Sequence, residues 1–143
     1  MNFKLVLKLT GKTLLLAAAT MLLPLLVAFY YGEDPTPFVY SIGLLLLVGG
    51  LFAKPKVEPH FFAREGFFSV GLIWVLFGVF GALPFWFSGY FASYVDCIFE
   101  AISGFTTTGA SILTTVEQLP RSILFWRSFT HWLGGLGVLI LTI

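Results

Sequence analysis

The sequence predicts an all-α integral membrane protein: two N-terminal transmembrane helices, then one unit of helix, short helix, extended loop and helix. Three observations predict it. Hydrophobic residues fill 58% of the 143 positions and charged residues only 10%, against about 25% charge in an ordinary soluble domain. The mean hydropathy is +0.96. Apolar runs of the length that crosses a bilayer as a helix, about 20 residues, recur along the chain, and a capped amphipathic segment too short to cross lies between the last two.

The same composition excludes whole classes of function. A soluble enzyme does not fit this hydropathy. The formal net charge of +1 gives no basic field for a nucleic acid partner. The single Cys97 allows neither an internal disulfide nor a cysteine metal cluster, and reads as a small packing residue. The segment TGKT at 10–13 resembles the end of a phosphate-binding loop, but the first glycine of that motif would fall at Val6. No H-E-x-x-H, G-x-S-x-G or paired C-x-x-C motif occurs, so no catalytic residue is assigned, and no bound cofactor is expected.

The first span is the charge-free run 13–31, TLLLAAATMLLPLLVAFYY. As a helix it covers about 28 Å, and Pro24 should kink it. A signal peptide is the rival reading, since Lys4, Lys8 and Lys12 precede the run. Against it, the run outlasts an ordinary signal core and lacks a small-residue cleavage site. GEDPTP at 32–37 is a proline-broken acidic turn, and Phe38–Ala53 forms the second span. The polar stretch 54–66, with Pro55 and Pro59, cannot be one helix. The third span is 67–88, stopped by Pro84 and the pair Ser88–Gly89. A fourth apolar run from about 121 reaches Ile143 with no polar flank, which predicts a truncated piece of a longer chain. The division is a hairpin over 1–60 and a second unit over 61–143.

Lysine and arginine set the orientation. Lys4, Lys8, Lys12, Lys54, Lys56 and Arg64 occupy the N-terminus and the second loop. Two spans separate those regions, so they share a side, which the positive-inside rule makes cytoplasmic. Glu33, Asp34 and the segment after the third span are then outside.

That segment holds the informative residues. Ser93 with Asp96 three positions on reads as a helix N-cap. Val95, Ile98, Phe99, Ile102 and Phe105 form an apolar helical stripe, beside a polar one of Asp96, Glu100 and Ser103; Gly104 is a natural stop. A helix over 94–103 is about 15 Å long, half a bilayer. Either it lies on the outer surface or it dips in and returns, and irregular backbone at depth is tolerated only within protein or beside a water-filled cavity. The following run, Thr106, Thr107, Thr108 and Gly109, favours extended backbone and can bare successive carbonyls, with Gly109 supplying angles other residues resist. The negative end of the short helix dipole favours a cation there.

In this setting FEAISGFTTTGAS (99–111) and LPRSILFWRSFTHWLGGLGVLIL (119–141) resemble the Trk/Ktr/HKT potassium transporter family. The two extra leading spans are similar to bacterial Trk system potassium uptake subunits rather than Ktr-type ones. The resemblance implies a first membrane helix at 67–88, a pore helix at 94–103, a selectivity filter at 106–111 and a truncated second membrane helix at 121–143, one of four such K⁺ channel-like units around a pore. It implies backbone oxygens of Thr106, Thr107, Thr108, Gly109 and Ala110 as K⁺ ligands, with K⁺ at Thr107, Thr108 and Gly109. It further implies a bacterial inner-membrane location, a homodimer, and a cytosolic nucleotide-binding regulatory partner of the TrkA type. One unit cannot close a ring of ligands, so this chain is not expected to conduct ions alone. The alternative is a non-conducting membrane assembly or scaffold protein whose threonine stretch is an outer loop.

Supporting residues follow from cost. Glu100 and Arg127 are the charges nearest the membrane core, and burying either unpaired is expensive, so a Glu100–Arg127 pair behind the filter is expected, the alternative being that each reaches outer water separately; Ser111 is counted with them as filter support. His131 reads as a packed polar residue. Gly134, Gly135 and Gly137 would let another backbone approach. Trp74, Trp86, Trp126 and Trp132 read as interfacial or lipid-facing anchors.

Overall fold

The computed structural model describes residues 2–57 and 63–142; Pro59 and the 60/61 boundary of the expected division lie outside them. Among the described residues the chain is seven α-helices and one short 3₁₀ turn: α1 (Phe3–Thr20), α2 (Leu22–Tyr31), α3 (Thr36–Ala53), α4 (Ala63–Gly81), α5 (Leu83–Ser88), α6 (Tyr94–Phe105), the turn at Val116–Gln118, and α7 (Arg121–Thr142). Among the described residues three stretches, Phe3–Tyr31, Thr36–Ala53 and Ala63–Ser88, are long and apolar enough to cross a membrane.

Two of the expected spans are each broken by their proline. Pro24 has no N–H for the Thr20 carbonyl and its ring crowds that group; the chain breaks at Met21, between α1 and α2. Pro84 acts the same way, splitting α4 from α5 at Ala82, while Gly89, at φ 77°, ends α5. The first helix also begins ten residues before the charge-free run. The Asn2 side chain caps it by accepting the Leu5 amide at 3.3 Å, and the lysines between are good helix formers.

The two ends of the first stretch are anchored to the second unit. At one end the buried Glu65 accepts the Asn2 amide at 2.7 Å. At the other, Glu33 accepts the amides of Arg121 at 2.7 Å and Ser122 at 2.9 Å, satisfying two N–H groups that the start of α7 would leave orphaned. The Arg121 guanidinium sits 4.5 Å from the centre of the Tyr31 ring. Between these ends α1 lies on α3 through Gly11, where a Cβ would stand 2.8 Å from the Gly49 carbonyl oxygen and 2.5 Å from the Ala53 nitrogen. The TGKT glycine is thus a helix contact.

Trp126 corrects an expectation. It is only 1% exposed, wedged beside Phe105 and Phe129, and its indole N–H donates to the Gly81 carbonyl at 3.0 Å beside the proline break. A buried indole must spend its donor on protein, and the break supplies the acceptor. Trp86 and Trp132 remain exposed.

Candidate functional site: the loop after α6

α6 starts where Ser93 caps it, its side chain accepting the Asp96 amide at 3.2 Å. The Tyr94 hydroxyl donates to the Val79 carbonyl and so fixes that end to α4. The helix then runs between α4 and α7. Its faces reverse a soluble pattern. Glu100 and Ser103 are buried with Cys97 and Ala101, while Val95, Phe99 and Ile102 of the apolar stripe are exposed. Only Phe105 of that stripe is fully enclosed. Polar groups in membrane proteins turn toward the protein interior, and the surface they leave is apolar.

Gly104 does not stop the helix, which continues to Phe105. It is there for contact: a Cβ would stand 2.1 Å from the Thr130 hydroxyl oxygen. One turn further along α7, a Cβ on Gly134 would stand 1.9 Å from the Phe105 carbonyl oxygen. These two glycines let α7 lie directly on the last turn of α6. Gly135 and Gly137 meet nothing closer than Thr107 Cγ2 at 3.9 Å and Trp74 Cζ2 at 4.0 Å.

From Thr106 the chain leaves the helix, and its amides stay turned back. Thr107 N–H donates to the Gly104 carbonyl at 2.9 Å, and Thr108 and Gly109 N–H both reach the Ser103 carbonyl, at 2.9 and 3.4 Å. In a trans peptide the N–H and the preceding C=O point in opposite directions. The carbonyls of Thr106, Thr107 and Thr108 therefore face away from α6. Among the described residues no donor bonds to the carbonyl oxygens of Thr106, Thr107, Thr108 or Gly109, and all four residues are exposed. The Ala110 carbonyl is different, accepting the Ser103 hydroxyl at 2.5 Å.

The backbone angles carry strain. Gly109 has φ 79°, and Thr107 is the one described non-glycine residue at positive φ, 57°. A β-branched residue there is an outlier that costs about 1–3 kcal/mol and persists only where surrounding bonds impose it.

Glu100 fastens the returning limb. It is 2% exposed. Its carboxylate accepts the Ser111 hydroxyl at 3.0 Å on both oxygens, the Ile112 amide at 3.2 Å, and Arg127 Nε at 2.5 Å. One buried carboxylate thus joins α6, the limb after Ala110, and α7. His131 Nδ1 lies 2.9 Å from the Arg127 carbonyl. Among the described residues no group of three or more His, Cys, Asp or Glu could hold a metal ion.

Sequence reading anticipated the Ser93 cap and the meeting of Glu100 with Arg127. It missed Ser103 as the acceptor of two loop amides and donor to a third residue. Its only signal was a serine on the same face as Glu100.

The TrkH cation transport protein family model matches residues 39–143. The Trk system potassium uptake protein TrkH of Halomonas elongata is 33% identical over the whole chain, which covers 30% of that protein. TrkG of Escherichia coli is 35% identical over 90% of the chain and 27% of its own length. The crystal structure of the potassium transporter TrkH from Vibrio parahaemolyticus superposes with a TM-score of 0.91 at 37% identity, covering 99% of this chain and 31% of that one. The chain thus spans about 30% of the length of such relatives, and it belongs to the TrkH family, which is one of cation transporters and not of enzymes.

Proposed function

We propose that this chain is the N-terminal part of a Trk-type potassium uptake subunit, and that its loop from Thr106 contributes one quarter of a selectivity filter. The observation that carries the reading is the row of carbonyl oxygens at Thr106–Gly109, exposed and without a donor among the described residues. In a chain of mean hydropathy +0.96 such a row needs a partner, because bare carbonyls in a bilayer cost several kcal/mol each, on the order of the penalty for any unsatisfied backbone group. A dehydrated cation supplies one, as carbonyl rings do in potassium channels. K⁺ sits at Thr107, Thr108 and Gly109, and Glu100, Arg127 and Ser111 hold the limb behind it. Names of the relatives support potassium as the ion.

The lysines of α1 with Lys54, Lys56 and Arg64 face the cytoplasm of a bacterial inner membrane, with the Glu33 turn outside. The full-length subunit is a homodimer with a TrkA-type nucleotide-binding partner. Nothing in the fold or the relatives favours the scaffold alternative.

The test is K⁺ uptake by a full-length subunit carrying this sequence, expressed in bacteria lacking their own K⁺ uptake. Restored growth at low K⁺ is expected. Membrane-inserted protein that takes up none, with the Thr107→Cys variant open to bulky thiol reagents, would instead make the loop an outer turn.

A further inference from the structure

Ser103 bonds three successive residues of the loop. Its carbonyl takes the amides of Thr108 and Gly109, and its hydroxyl donates to the Ala110 carbonyl at 2.5 Å. It is 5% exposed, so its own hydroxyl and carbonyl are turned into the protein while the loop residues they hold are exposed. The amide bonds aim the Thr107 and Thr108 oxygens away from α6, and the hydroxyl bond pulls the Ala110 oxygen the opposite way, toward α6.

We infer that Ser103 is the positioning residue of this filter segment, and that the Ala110 carbonyl is a structural acceptor rather than an ion ligand. This rests on the filter reading above. The reversal of direction between Thr108 and Ala110 needs one residue of unusual freedom between them, and Gly109 at φ 79° is that residue. The loop therefore offers the ion oxygens only as far as Gly109. The Ser103 hydroxyl sets where the row stops. Without it the Ala110 peptide is free to rotate, and the spacing of the oxygens before it is no longer fixed. Size discrimination between K⁺ and Na⁺ depends on that spacing, whereas overall throughput depends on it less.

The experiment measures apparent KM for K⁺ and inhibition by Na⁺, beside maximal uptake rate, in the full-length subunit. The variants are Ser103→Ala, Ser103→Thr and Ser103→Cys. Loss of one hydrogen bond corresponds to roughly a threefold to tenfold change in an equilibrium. Ser103→Ala should lose about that factor in K⁺ preference over Na⁺ while keeping most of its maximal rate. Ser103→Thr, which retains the hydroxyl, should restore the preference. Ser103→Cys matches the serine in shape but is a weak donor, so it should behave as alanine does, and it serves where the alanine variant does not reach the membrane. Unchanged discrimination in both Ser103→Ala and Ser103→Cys overturns the inference, and so does equal loss in Ser103→Thr, which would mean that packing and not the hydroxyl matters. A wild-type subunit that takes up no K⁺ at all fails the filter reading itself, and the two failures are thereby distinct.

Discussion

Arg127 Nε lies 2.5 Å from Glu100 Oε1, and that carboxylate also accepts the Ile112 amide at 3.2 Å. The ion pair is therefore one arm of a three-way joint. Removing one partner of a buried pair costs about 3–5 kcal/mol; the lower end applies here, because the Arg127 side chain is 20% exposed. Glu100→Ala should lower the melting temperature of the full-length protein more than Glu100→Gln, whose amide oxygen still accepts from Ile112. Exchanging the two charges should not restore stability, since arginine at position 100 offers that amide no acceptor. Thermal unfolding in detergent measures all three. A Glu100→Ala protein that melts with the wild type would remove the joint.

The α6–α7 contact gives a sharper contrast between neighbours. Gly134→Ala puts a methyl 1.9 Å from the Phe105 carbonyl oxygen, and backbone cannot yield cheaply. Overpacking of this kind costs about 1–3 kcal/mol or more. Gly135→Ala and Gly137→Ala meet ordinary contact distances and should express and melt as the wild type does. Membrane yield and melting temperature of the three variants test the contrast.

Glu33 links the N-terminal hairpin to α7, and its pKa direction sets a pH dependence. Partial burial pushes its carboxyl up, but the hydrogen bonds from Ser122 and Arg121 outweigh that and hold it below the ordinary value. A carboxyl lowered on folding stabilises the protein above its unfolded pKa, and that stability is lost as pH falls through the folded one. Wild type should therefore melt above Glu33→Gln at neutral pH, and the gap should close in acid. Asp34, lowered by the Thr36 hydroxyl and amide, stays in both proteins and cancels. A gap that persists in acid would assign the difference to something other than this carboxylate.

Gly109→Ser tests the filter from the other side. A side chain there meets nothing within 4 Å, yet φ is 79°, so the cost is in the backbone, about 1–2 kcal/mol for an L-residue in the left-handed region. K⁺ preference over Na⁺ should weaken in the full-length protein, measured by uptake of both ions. Unchanged discrimination would mean that the turn does not set the oxygen spacing.

The helices and the Glu100–Arg127 pairing were legible because each follows from a local rule or a burial cost. Pro24 and Pro84 announced their breaks, and two charges in an apolar setting announced a partner. The bearing of α6 was not legible. A stripe of Val95, Phe99 and Ile102 normally marks the buried face, but in a membrane chain lipid and protein are both apolar, so hydrophobicity does not say which side is inside. Trp126 was misread for the same reason. Gly11 and Gly104 act through distances between elements far apart in sequence, and Ser103 through the fold of an irregular loop five to seven residues on; composition and periodicity encode neither.

The most direct measurement is the anomalous scattering of rubidium or thallium in crystals of the full-length subunit. Ion density should lie against the carbonyl oxygens of Thr107 and Thr108, on the side of the loop away from α6. Density absent from those oxygens, or the same peptides facing lipid headgroups with no shared axis between loops, would contradict a filter at this site.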